Sequence, residues 1–199
     1  WLLIANFFSQ IGMWVHDIGA AWLMTSLAPT PIMVALIQTA TALPMALLAL
    51  PAGALADIID RKRLILTAQI WRVIASASLG ILTLLGLVNP VLLLAGTLLL
   101  GFGTALGAPA WQAIIPEVVP REEIREAVTL GGVSSNTARG LGPALGGFIV
   151  TAIGSGGAFM LNSASLLWIV TVIAKWKRTV TKSTLPTERF IGAIRTGMR

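Results

Sequence analysis

The chain has 199 residues, 56% hydrophobic and 11% charged, with a mean hydropathy of +0.86. A soluble domain carries about 25% charged residues, so the composition excludes disorder and argues against a soluble enzyme. The net charge of +6 falls mostly between apolar runs, which points to a membrane surface and away from a nucleic acid partner.

A membrane helix needs about 20 mostly apolar residues. Six stretches qualify, at residues 1–26, 31–56, 64–88, 90–114, 125–153 and 157–176. Backbone polar groups cannot stay open in lipid, so the spans are expected to be helices and the fold all-α. Residues 1–176 thus read as one polytopic bundle, and 177–199 as a basic linker. The chain starts at Trp1 inside an apolar run, which reads as a fragment and not as a signal peptide.

In the first span Asn6, Gln10 and Asp17 follow i, i+4, i+11 and fall within about 40° on a helical wheel. Such a stripe suits a water-filled cavity, and Trp14 lies close to it. A carboxylate near the middle of a span costs about 2.5–3.5 kcal/mol to insert. Asp17 therefore reads as a proton exchanger, a holder of a cationic substrate or a fixed ion-pair partner. His16 projects about 100° away and reads first as a packing residue, with a proton relay as the alternative. Gln38 in the second span and Asn162 in the sixth read as interhelical hydrogen bonders.

The second span leads through Gly53 and Asp57 to Asp60, Arg61, Lys62 and Arg63. In the third, Arg72 is expected to snorkel to the headgroups. In the fourth, Gly103-x-x-x-Gly107 reads as plain helix packing. The fifth aligns Gly132, Asn136, Arg139, Pro143 and Gly146 on one stripe. Arg139 is too deep to snorkel, and Asp17 is the economical partner, being the one acidic residue deep in any span. Pro143 removes a backbone hydrogen bond, and with Gly140, Gly142, Gly146 and Gly147 it makes a bent, thin helix surface. Past the sixth span, Phe190, Ile191, Ile194 and Met198 recur at helical spacing among arginines, the pattern of a basic amphipathic helix lying on the membrane.

Of the 14 Lys and Arg, three lie between spans two and three, two between four and five, and seven after span six. The other three loops carry no charge. By the positive-inside rule the charged loops and the tail are cytoplasmic, so both ends are expected on the cytoplasmic side of the cell membrane. With no cysteine and one histidine, no thiol nucleophile or metal site is expected. No phosphate loop, H-E-x-x-H or paired carboxylates within a span suggest an enzyme.

The loop Gly53-Ala-Leu-Ala-Asp57-Ile-Ile-Asp60-Arg61-Lys62-Arg63 resembles the loop 2–3 signature of the major facilitator superfamily. Gly142-Pro143-Ala-Leu-Gly146-Gly147 resembles the core of its antiporter motif. Trp22–Leu27, Leu50–Asp57 and Asn136-x-x-Arg139-x-x-Gly142-Pro143 are similar to the enterobactin-exporter-like branch. Asp60 stands where the loop signature has Gly and Ile58 where it has a basic residue. Ala138 and Thr129 replace glycines, so the antiporter match is partial.

The resemblance implies a twelve-helix transporter of two six-helix halves, each a 3+3 repeat, with this chain as the N-terminal half and the C-terminal half as its missing partner. It implies that Gly53, Asp57, Arg61 and Lys62 form a latch between the halves. Arg61, Lys62 and Arg63 as simple topology anchors are the alternative. It implies that Gly142, Pro143, Gly146 and Gly147 face the other half and control leak. The activity implied is proton-coupled efflux of a small amphipathic molecule, such as a siderophore or drug, by alternating access. Asp17, Gln10, Asn6, Trp14, Arg139 and Asn136 would line its pathway, with a coupling proton and no cofactor. A fold does not fix direction or substrate, so an importer, a lipid flippase or a non-transporting six-helix module are the alternatives.

Overall fold

The computed structural model of the chain describes residues 2–28 and 30–176, with the Asp57 side chain outside the described set. The expected linker and its amphipathic helix lie outside the described residues, as does Trp1. The described residues are all-helical apart from short connections. The helices are α1 (Leu2–Leu27), α2 (Pro31–Ile58), α3 (Arg61–Leu84), α4 (Pro90–Val118) and α5 (Ile124–Lys175), with one turn of 3-10 helix at Arg121–Glu123 before α5.

Local chemistry sets the boundaries. Pro31 and Pro90 open α2 and α4 in the first helical turn, where proline's missing N–H leaves no bond unmade. Asn89 caps α4 by accepting the Leu92 N–H at 2.9 Å. Asp60 caps α3 by accepting the Arg63 N–H at 2.9 Å. An acceptor at this position satisfies a donor that the helix start leaves open. Helix α3 therefore begins at Arg61, three residues before the expected 64, and only Ile59 and Asp60 separate it from α2. It ends at Leu84, before the expected 88. There Gly86 takes φ 70°, and its N–H and that of Leu87 return to the carbonyls of Thr83 and Leu82. This double bond closes the helix end, and glycine suits its left-handed residue. Asp60→Ala is expected to cost about 1 kcal/mol, read as a fall in the midpoint of SDS unfolding, while Arg63→Ala leaves that cap in place.

The expected break at 154–157 is narrower than its sequence. Only Gly154 leaves helical geometry, at φ 73° and ψ 172°. It divides α5 into an N-arm, 124–153, and a C-arm, 155–175. Four helical stretches among the described residues are long and apolar enough to cross a membrane: Pro31–Ala56, Arg61–Leu84, Pro90–Val118 and the 55-residue Arg121–Lys175. Helix α1 has the length, but Asn6, Gln10, His16 and Asp17 dilute its apolar character.

Helix α1 packs chiefly on α5, α3 on α4 and α5, and α2 on α4. Absent side chains make these approaches close. A Cβ at Gly101 would stand 2.9 Å from Pro44 and 3.0 Å from the Ala40 carbonyl across α2–α4. One at Gly103 would meet Arg72 and Trp71 at 2.5 and 2.9 Å across α3–α4, and one at Gly107 would touch Ala68. Both glycines therefore serve helix packing, as their spacing suggests. The Trp71 indole N–H donates to the Leu99 carbonyl at 2.7 Å and ties the same pair of helices.

Polar side chains join α3 to the C-arm. Ser76 Oγ donates to the Phe159 carbonyl at 2.9 Å, Asn162 Nδ2 to Ser76 Oγ at 3.0 Å, and Ser163 Oγ to the Val73 carbonyl at 3.2 Å. Asn162 thus makes the interhelical bond expected of it. Gln38 has no interhelical hydrogen bond in the structure.

Candidate functional site

A cleft of about 730 Å³ opens among α1, α2, α4 and the N-arm of α5. Most of its wall is apolar, from Leu2, Leu3, Met45, Ile115, Val118 and Val128. Its polar groups are Asn6 and Gln10 on α1, Gln112 on α4, and Ser135 and Arg139 on α5. Ser135 Oγ donates to Gln10 Oε1 at 2.8 Å, which joins α1 to α5 and leaves the Gln10 amide N–H groups as donors. Arg139 is exposed and has no hydrogen bond or ion pair among the described residues.

A smaller pocket of about 180 Å³ lies beside it, lined by Gln69 and Arg72 of α3 and by Thr104. The two share Asn6, Ala108, Trp111 and Gln112 as walls. Arg72 does not snorkel to the headgroups, contrary to its expectation from sequence. It is 9% exposed, donates from one terminal nitrogen to Gln69 Oε1 at 2.9 Å and places the other 3.4 Å from Met13 Sδ. The reason is tertiary: Gly103 lets α4 close over its aliphatic stem, and a polar acceptor stands one helical turn back at Gln69.

Among the described residues Asp17 forms no ion pair with Arg139. Arg72 reaches Met13, which lies one helical turn before Asp17 on the same face of α1, and so places a cation on that side of the helix. Asp17 lines neither cavity, and its Oδ1 is buried with no hydrogen-bond partner among the described residues. His16 is fully buried with its ring 4.6 Å from Phe159, and neither ring nitrogen has a partner there.

The structure sorts the remaining sequence-marked residues by face. Asn6, Gln10 and Arg139 reach the cleft. Trp14 does not; it packs against Gly142, where a Cβ would lie 2.5 Å from its Cβ and Cγ. Asn136 is exposed, donates to the Gly132 carbonyl at 3.0 Å within its own helix, and stays out of the cleft. Gly142 and Gly146 turn inward onto Trp14, Val15 and Ile18 of α1, whereas Gly140 and Gly147 have open space beside them. Pro143 is half-buried between them. The helix-5 motif therefore divides between internal packing and an open face.

The loop signature divides too. Gly53 has nothing within 4 Å of an added Cβ. Arg61 donates to Glu117 Oε1 at 2.9 Å and to the Ala113 carbonyl at 3.1 Å. Lys62 donates to the carbonyls of Ala174 and Trp176 at 3.0 and 2.6 Å. Both side chains thus bind the C-terminal ends of α4 and α5, where open carbonyls favour cations. These contacts lie within the bundle.

Sequence reasoning passed over Gln69, Trp111, Gln112 and Ser135. Two of them carried a signal. Ser135 lies four residues before Arg139, on the same helix face, and Gln69 lies three before Arg72.

A family profile described as "Transmembrane secretion effector", of the major facilitator type, matches residues 1–199. The chain is 27% identical over 165 residues to the uncharacterized MFS-type transporter YfiS of Bacillus subtilis (strain 168), covering 82% of this chain and 38% of that protein. It is 26% identical over 147 residues to the staphyloferrin A transporter of Staphylococcus aureus, covering 73% of this chain and 37% of that protein. The matches thus span well under half the length of these curated relatives. An all-helical chain with long apolar helices and a profile match along its whole length belongs to the major facilitator superfamily, and is a multi-pass membrane protein of that transporter family.

Proposed function

We propose that this chain is the N-terminal six-helix half of a secondary transporter that exports a small amphipathic molecule, coupled to protons moving down their gradient, by alternating access. The observation that carries this reading is the cleft. A wall of apolar side chains bearing a few convergent polar groups is the usual form of a small-molecule site. It opens between helices and runs from their ends at Leu2, Val118 and Ala127 toward Met45 and Arg139 near mid-helix, which suits an open vestibule leading to a midplane site.

The six spans of this reading are α1 to α4 and the two arms of α5. At 1.5 Å per residue an unbroken 52-residue helix would run about 78 Å, well over twice the roughly 30 Å hydrocarbon core. The break at Gly154 suits a return through the membrane. The 3+3 repeat and cytoplasmic ends complete the topology, in keeping with the positions of the basic residues. A second six-helix half would cover the open face of the N-arm, where Gly131, Gly132, Gly140 and Gly147 have no neighbours and Val128, Val133, Leu141 and Phe148 are exposed. Gly53 and Asp57, at the end of α2, would meet it on the cytoplasmic side. Arg61 and Lys62 would hold that end of the bundle rigid.

Asp17, buried and outside the cleft's lining, is the coupling carboxylate in this reading. The test uses the complete transporter in proteoliposomes. Asp17→Asn is expected to reduce pH-gradient-driven efflux at least about tenfold, the scale of losing one proton-transfer group. Substrate counterflow, which needs no gradient, should persist and so report folded protein. Gradient-driven efflux at the wild-type rate would remove Asp17 from the coupling role.

A further inference from the structure

The charged side chains that line the two cavities have one sign: Arg139 lines the cleft directly, and Arg72 lines the pocket behind the shared wall of Asn6, Trp111 and Gln112. Glu117 and Glu126 neighbour lining residues without lining the cleft, and Glu117 is paired with Arg61. Neither lining contains an Asp or Glu. Asp17, the acidic residue near these helices' middle, lies outside the lining of both cavities. The neutral polar groups are mainly amides, and the Gln10 carbonyl is already occupied by Ser135, so its N–H groups face a ligand as donors. Arg72 is nine-tenths buried and its Nε has no hydrogen-bond partner among the described residues, so its charge is poorly compensated by local acceptors.

We propose that the cleft binds an anionic amphiphile, with a carboxylate on Arg139 and the amides of Gln10, Asn6 and Gln112, and an apolar body along Leu2, Ile115 and Val128. This rests on the transporter reading and gives its substrate class. The chemistry favours a carboxylate because a guanidinium presents paired N–H donors at the spacing of two carboxylate oxygens. Removal of water by the apolar wall strengthens that pairing. Arg72 adds a second positive centre behind the wall. A cationic amphiphile would meet two like charges and no acidic partner.

The test is equilibrium dialysis of the purified full-length transporter with three probes of one shape: naphthylacetate, its methyl ester and naphthylmethyl-trimethylammonium. Naphthylacetate is expected to bind at least about tenfold tighter than the other two, the scale of one charge-assisted contact. Arg139→Gln should remove that preference by weakening naphthylacetate binding to the level of the ester. Arg139→Lys, which keeps the charge but loses the paired donors, should restore only part of it. Arg139 is exposed, so these variants test the site without disturbing the core. Equal binding of the three probes, a preference for the ammonium, no binding of any probe, or an unaltered Arg139→Gln variant would each overturn the proposal. Arg139-dependent carboxylate binding without gradient-driven movement would uphold the anion site and sink the transport reading.

Discussion

Gly142→Ala is expected to cost the bundle more than 3 kcal/mol, the upper range for overpacking. A Cβ at this position would stand 2.5 Å from both Cβ and Cγ of Trp14. Trp14 Cβ is fixed by the α1 backbone, so no rotamer change moves it away. Relief requires α1 to shift from α5, its most extensive packing partner. Gly146 sits on the same seam, 3.1 Å from Ile18 by the same measure, and should tolerate alanine better. Gly140→Ala and Gly147→Ala meet nothing within 4 Å. They should change stability by under about 1 kcal/mol, because alanine also favours the helix. The measurements are the SDS unfolding midpoint and the monodisperse fraction on size exclusion. A Gly142→Ala protein as stable as the parent would show that the α1–α5 seam is looser than described. Gly147→Leu offers the complementary outcome: an intact bundle and impaired transport, if a second half covers that face.

A second large effect is expected at the buried charges Asp17 and Arg72. Arg72 reaches Met13, one turn before Asp17 on the same face of α1, so Arg72→Met removes the cation on that side of the helix and Asp17→Asn leaves Arg72 buried with Gln69 and Met13. Each single change is expected to destabilise the protein, because removal of one partner strands a buried charge. The double variant should recover part of the loss. A coupling of about 1–3 kcal/mol is expected for neighbouring groups of this kind, and the absence of direct contact places it in the lower part of that range. The measurement is a double-mutant cycle on SDS unfolding midpoints, with Asp17→Asn/Arg139→Gln as the comparison pair. Coupling in the Arg139 cycle and none in the Arg72 cycle would reverse the assignment.

The membrane character, the helical fold and the family were legible in the sequence because they depend on composition and local pattern. Long apolar runs with basic loops need no tertiary information. Pro31, Pro90, Asn89 and Asp60 mark their own helix starts, since a cap acts within three residues. Helical periodicity placed Asn6 and Gln10 together on the cleft side of α1. What a wheel cannot give is which neighbour a stripe faces. Asp17 shares the angular position of Asn6 but lies about 16 Å further along the helix, beyond the lining of the cleft. Arg72 was misread for the same reason. It was expected to snorkel to the headgroups, and the decisive fact was the close approach of α4 at Gly103, more than thirty residues away. Arg139 and Asn136 are three apart, yet one lines the cleft and the other bonds back to its own helix. Composition and local pattern were enough to assign a membrane protein of long helices and to mark most of its breaks, to within a few residues. Which side chains share the cleft and which stay buried required the tertiary structure, because helix rotation and pairing are set by contacts between residues far apart in the chain.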